Sequence, residues 1–131
     1  MSDTAADPIV ATYTGTSGDN LVVYDWVLPH GAALRGKVLV VHGLGEHAAR
    51  YAPLAQRLND WGFDVRAYDQ YGHGQSDGPR GGLPDATRLL DDLADLVESA
   101  RRRIGPDVPL LLLGHSMGGL VAAAGVAAGK V

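Results

Sequence analysis

Hydrophobic and polar positions divide the chain into segments of two kinds. Ala11 to Thr16 and Leu21 to Val27 are β-rich runs separated by the turn-forming cluster Ser17-Gly18-Asp19-Asn20. That pattern predicts a hairpin. Lys37-Val38-Leu39-Val40-Val41-His42 does not alternate. A continuously apolar strand is covered on both faces, as in a parallel sheet flanked by helices. From Ala48 to Trp61 the apolar residues Tyr51, Leu54, Ala55, Leu58 and Trp61 recur at helical spacing, and Gly62 is the predicted stop. Phe63 to Asp69 predicts a second buried strand, followed by a loop holding Gly72, Gly74, Gly78, Gly81 and Gly82. Asp85 is placed to cap the next helix, which runs to about Ile104. Leu89, Leu90, Leu93, Leu96, Val97, Ala100 and Ile104 form its apolar stripe; Asp91, Asp92, Asp95 and Glu98 read as its solvated face. Val108 to Leu113 predicts a third buried strand, and a small-residue helix starts at Ser116. A hairpin followed by β-α-β-α-β-α predicts an α/β fold, with a mostly parallel sheet and helices on both faces.

Composition narrows the function. With 131 residues and 46% hydrophobic content, the chain suffices for a domain with a real core. Its formal net charge of −4, without a basic patch, argues against a nucleic-acid partner. The run Arg101-Arg102-Arg103 falls where the last helical turn is expected, and there it complements the helix dipole. No cysteine is present, which excludes disulfides, thiolate metal sites and a cysteine nucleophile. Residues 1–8 are polar and expected to fray, with no basic region of a signal peptide. No apolar run approaches the roughly 20 residues that span a membrane. The expectation is a cytoplasmic enzyme, with peripheral membrane contact left open. His42 and His47 flank a glycine loop without a matching carboxylate pattern, and the glycine-rich loop lacks a phosphate-binding lysine, so neither metal nor cofactor is expected.

The chemistry concentrates at Gly114-His115-Ser116-Met117-Gly118, a G-x-S-x-G pattern between a buried strand and a helix. A serine hydroxyl needs a base to remove its proton and must stand clear of the backbone for a carbonyl to approach it. A sharp strand-to-helix turn meets the second need, and Gly114, Gly118 and Gly119 remove side chains that would collide there. Ser116 is therefore the expected nucleophile, and the Met117 N–H is an expected oxyanion donor at the helix start. His42-Gly43-Leu44-Gly45 follows the first parallel strand, where such sites take their second donor; the candidate is the Leu44 N–H, with Gly43 and Gly45 turning the backbone. His42 reads as a structural histidine bonded to that loop.

Val40-Val41-His42-Gly43-Leu44-Gly45-Glu46-His47-Ala48-Ala49-Arg50-Tyr51 resembles the H-G-x-G-E-H-x-x-R-Y signature of the monoacylglycerol lipase and lysophospholipase group, which is grouped with serine aminopeptidase-like α/β hydrolases. Tyr68-Asp69-Gln70-Tyr71-Gly72-His73-Gly74-Gln75-Ser76-Asp77-Gly78 resembles its D-x-x-G-H-G-x-S-x-G signature, and Gly114 to Gly119 its G-H-S-M-G-G elbow. The resemblance implies an α/β-hydrolase fold and a carboxylic ester hydrolase acting on a small acyl ester or lipid. It makes Ser116 the nucleophile and Leu44 and Met117 the oxyanion hole. Glu46, His47, Arg50 and Tyr51 then brace the loop, and Asp69, His73 and Ser76 serve as a turn scaffold.

A triad also requires a base and an acid, in this fold after the serine. Met117 to Val131 contain no His, Asp or Glu; all five histidines, His30, His42, His47, His73 and His115, precede Ser116. His115 is a poor base because adjacent side chains diverge at an elbow. The expectation is therefore the N-terminal portion of one hydrolase domain, with lid and later strands elsewhere, and an open edge on the Val108–Leu113 strand. Two alternatives stay open: a non-catalytic fragment, or the same fold acting as peptidase, thioesterase or acyltransferase.

Overall fold

The computed structural model describes residues 7–82, 85 and 87–131. Its centre is β3, Gly36–Val41, buried along its whole length. Leu39 and Val41 point into one core cluster, Val38 and Val40 into another. The first cluster gathers Leu93 and Leu96 from α2 (Arg88–Ile104) and Val121 from α3 (Met117–Ala127). The second gathers Ala55 and Leu58 from α1 (Ala52–Asp60). A strand apolar at every position thus has helices on both faces, as its lack of alternation predicts.

Five strands form the sheet in the order β1-β2-β4-β3-β5. β1 (Ile9–Thr14) and β2 (Asn20–Trp26) make the antiparallel hairpin, and β2 continues antiparallel onto β4 (Phe63–Tyr68). β3 runs parallel to β4 and to β5 (Leu110–Gly114), with Val38 opposite both Val65 and Leu111. β5 is an edge strand, and Leu111 on it is 45% exposed. Because β3, β4 and β5 are parallel, their carboxyl ends lie side by side, the end where ligands bind in such sheets. Among the described residues no helix is long and apolar enough to cross a membrane.

Four features depart from the sequence pattern. The helix expected over 48–61 opens with a 3-10 turn, Ala48–Tyr51, and α1 begins at Ala52. Pro53 sits in the first turn of α1, where its missing N–H costs nothing; further inside a helix its ring would meet the preceding turn. Trp61 lies past the helix end, where Gly62 (φ 94°) turns the chain, and is 55% exposed rather than part of the stripe. The third departure is in α2. Thr87 is its capping position, and Asp85 instead accepts the Thr87 N–H and hydroxyl at 3.0 and 3.1 Å.

Asp92 also leaves the solvated face on which it was expected. It is 2% exposed, and Arg88 one turn earlier donates its Nε to both carboxylate oxygens at 3.0 and 3.1 Å. Arg88 also reaches Asp19 at 2.8 Å and lies over the Tyr71 ring. The hairpin turn covers this part of α2: Thr16 donates its N–H and hydroxyl to Asp95 at 3.0 and 3.1 Å. Asp91 and Glu98 remain outside and pair with Lys130 and Arg102. At the C-terminal end of α2, Arg101 donates to the Gly105 and Val108 carbonyls at 3.0 and 2.7 Å.

Leu93 is fully buried between α2 and the sheet. Leu93→Ala is expected to lower unfolding free energy by about 2–5 kcal/mol. A fall in the urea midpoint at unchanged slope would measure it.

Candidate active site

Only His115 and Ser116 separate β5 from α3. Ser116 adopts φ 57° and ψ −118°, and it is the one non-glycine residue with positive φ among those described. Such a conformation costs on the order of 1–3 kcal/mol and persists where its surroundings enforce it. Here the His115 N–H donates to Val41 O at 3.1 Å, and Gly118 N–H donates to His115 O at 2.9 Å. Contact does the rest. A Cβ on Gly118 would stand 1.9 Å from the Val41 oxygen, and one on Gly114 would stand 2.5 Å from the Gly118 oxygen. Gly119 departs from the expectation: a Cβ there would meet only ordinary contacts, and it is the Gly119 backbone, 2.6 Å from where a Gly114 Cβ would stand, that requires glycine at 114.

The loop after β3 lies against this turn. A Cβ on Gly43 would come within 3.2 Å of Ser116 Cβ and 2.5 Å of a Glu46 carboxylate oxygen. Glu46 binds three groups. Its Oε2 accepts the Gly43 N–H at 3.2 Å and faces His115 Nδ1 at 2.8 Å, while Oε1 accepts the Tyr51 hydroxyl at 2.7 Å. The Tyr51 bond, with His115 and Gly43 adding to it, holds the Glu46 carboxyl below its usual range. Burial, then the Glu46 carboxylate, push the Tyr51 hydroxyl up to about 12. Because His115 Nδ1 is turned to Glu46, the ring braces the loop. Leu44 itself is 66% exposed. Among the described residues, neither the Leu44 N–H nor the Met117 N–H has an acceptor.

Two buried groups hold the loops from beneath. His42 is 1% exposed; its Nδ1 lies 2.7 Å from Gly43 O, and its Nε2 accepts the Gln70 N–H at 2.9 Å. These partners place the ring proton on Nδ1, and burial lowers the pKa, keeping the ring neutral. Gln70 Nε2 also donates to His42 O at 2.7 Å. Asp69, fully buried, accepts the Tyr24 hydroxyl at 3.1 Å, the Ala48 N–H at 2.7 Å and the Gln75 N–H at 3.0 Å. The Ser76 hydroxyl donates to Asp69 O at 2.6 Å and accepts the Val22 N–H at 2.8 Å. His73 lies beside His42, ring centroids 5.0 Å apart. Arg80 donates to the carbonyls of Gly74, Ser76 and Gly78.

The elbow, the Gly43-Leu44-Gly45 loop and Glu46 therefore meet at one point, with Asp69, His73 and Ser76 below. His47 and Arg50 are exposed, and the link between them is a backbone bond, Arg50 N–H to His47 O. Gln70 and Tyr24 hold the site without having been singled out in the sequence. Gln70 follows a buried strand directly, and Tyr24 sits on a hairpin strand with no chemical signature, so only contact reveals them.

Residues 32–130 match the family model described as serine aminopeptidase, S33. The chain belongs to that family. Among its relatives is a monoacylglycerol lipase of Mycolicibacterium smegmatis, 41% identical over 108 residues, which cover 82% of this chain and 38% of the relative. A carboxyl esterase from Bacillus coagulans, solved with glycerol, superimposes with a TM-score of 0.82 at 29% identity over 96% of this chain and 42% of its own. A soluble variant of monoglyceride lipase from Saccharomyces cerevisiae, solved with a substrate analog, gives 0.75 at 29% over 91% and 38%. The fold is that of the α/β hydrolases, and this S33 chain spans about two fifths of the length of these relatives.

Gly118→Ala is expected to destabilise by about 4 kcal/mol or more, since the overlap is with backbone; loss of the cooperative thermal transition would register it. A second expectation concerns His42. Burial holds its folded pKa below the ordinary 6.5 of the unfolded chain. Its contribution to stability is then complete above that value and declines as pH falls below it, because only the unfolded chain takes up the proton. Urea midpoints compared at about pH 7.5 and about pH 5.5 should fall, and fall less in His42→Asn.

Proposed function

We propose that this chain carries the nucleophile and oxyanion half of a serine carboxylic ester hydrolase whose substrates are monoacylglycerol- or lysophospholipid-type esters. One observation carries the reading: Ser116 stands in a strained positive-φ turn against a loop whose Leu44 N–H, like that of Met117, lacks an acceptor among the described residues. Ser116 Oγ attacks the acyl carbonyl, and the two N–H groups receive the oxyanion. The alcohol leaves, an acyl-enzyme remains on Ser116, and water releases the acid. Gly114, Gly118, Gly43 and Gly45 give the backbone its path, and His115 and His42 support it. The base and acid come from polypeptide outside these 131 residues. The substrate class is supported by the monoacylglycerol and monoglyceride lipases among the relatives, and the buried neutral His42 is already committed to Gly43 and Gln70, so it does not serve as the base.

The test is a fluorophosphonate probe on the protein expressed from its whole reading frame, with peptide mass spectrometry. An adduct on Ser116 is expected, together with a loss of monoacylglycerol hydrolysis of about 10³-fold or more in Ser116→Ala. An unmodified Ser116, or ester turnover that survives the substitution, would overturn the reading. Aminoacyl amides and acyl thioesters assayed beside monoacylglycerol distinguish the peptidase and thioesterase alternatives.

A further inference from the structure

We infer that His42 is a positioning residue that aims the Leu44 N–H at the oxyanion, acting through the carbonyl of Gly43. The inference rests on the reading of Leu44 as an oxyanion donor. Its basis is the planarity of the peptide unit. Gly43 C=O and Leu44 N–H belong to one trans peptide plane and point in opposite directions. Whatever fixes the oxygen fixes the N–H.

The oxygen is fixed twice, by His42 Nδ1–H at 2.7 Å and by Glu46 N–H at 3.2 Å. The imidazole cannot swing away, because its Nε2 takes the Gln70 N–H at 2.9 Å and the ring is buried. That same bond selects the tautomer in which Nδ1 is the donor. The preceding peptide is held as well: Gln70 Nε2 binds His42 O at 2.7 Å, and Glu46 takes the Gly43 N–H.

Among the described residues no other hydrogen bond holds this peptide. The Leu44 side chain is 66% exposed, and a Cβ on Gly45 (φ 75°) would meet nothing within 4 Å. The peptide joins Gly43 to Leu44 and turns about ψ of Gly43, a residue with wide rotational freedom, so without a held carbonyl it can rotate away. A bond to the carbonyl oxygen also polarises the amide and strengthens its N–H as a donor.

A purely structural histidine and a positioning one respond differently to paired substitutions. His42→Asn keeps a donor near the place of Nδ1 but loses the acceptor at Nε2. His42→Gln keeps a polar group near Nε2 and loses the donor to Gly43. Both should lower thermal stability. In the 131-residue chain the Gly43 carbonyl and Leu44 amide resonances should stay close to wild type in His42→Asn and move in His42→Gln. In the whole-frame protein, Ser116 phosphonylation by the fluorophosphonate should stay within about twofold of wild type in His42→Asn and slow about tenfold in His42→Gln. That is less than the roughly 10²–10³-fold loss of a whole oxyanion donor, because Glu46 N–H still holds the oxygen. Equal losses in both variants, tracking the melting temperature alone, would overturn the inference. So would imidazole ¹⁵N shifts of the wild-type chain showing the ring proton on Nε2, a measurement that requires no variant. If wild-type Ser116 is not phosphonylated at all, the hydrolase reading fails and the catalytic role of His42 with it. The Gly43 and Leu44 resonances then still decide whether His42 orients that peptide.

Discussion

The architecture of the site depends on the closeness of Gly118 to the carbonyl of Val41. A Cβ at that position would lie 1.9 Å from the oxygen, so the first turn of α3 packs on the end of β3 with no side chain between them. This contact brings the residue before α3 into a positive φ, and it places the loop after β3 beside Ser116. The sheet contributes by making β3 and β5 neighbours and parallel, so that both chains leave it in the same direction. Strain at Ser116 is a consequence of that geometry, maintained by backbone contacts on both sides.

Below the elbow, the polar residues divide the work by depth. Glu46, near the surface, joins the β3 loop to His115 and Tyr51. His42 and Gln70 lie deeper and bind each other's backbone. Asp69 is deepest, and its carboxylate binds three donors from well-separated parts of the chain. A buried carboxylate without such donors would be costly. With them it ties together the loops that lie beneath Ser116. Gly74 is required by the same group, since a Cβ there would sit 2.3 Å from the carboxylate.

Much of this could be read from the residues. The unalternating run through β3 implied cover on both faces, and the two core clusters supply it. The glycine spacing around Ser116 located the elbow because tight turns demand specific residues at specific places. What escaped the sequence depended on contacts distant along the chain. Asp92 looks like any helix-surface acid until the hairpin turn folds over it and Arg88 turns inward. Trp61 fits the helical period, but the helix ends before reaching it. Pro53 was the local clue to a later start for α1. Gln70 carries no chemical signature; its importance comes from standing opposite His42 across the ends of β3 and β4.

The Asp69 cluster also has a kinetic meaning. Because one carboxylate joins the β2 tyrosine, the turn before α1 and the glycine-rich loop, none of these can open alone without stranding a buried charge. Their amides should exchange with solvent as one cooperative unit, at a rate set by the rarest collective opening. Beneath the serine, then, opening is a single collective event rather than a set of independent loop motions.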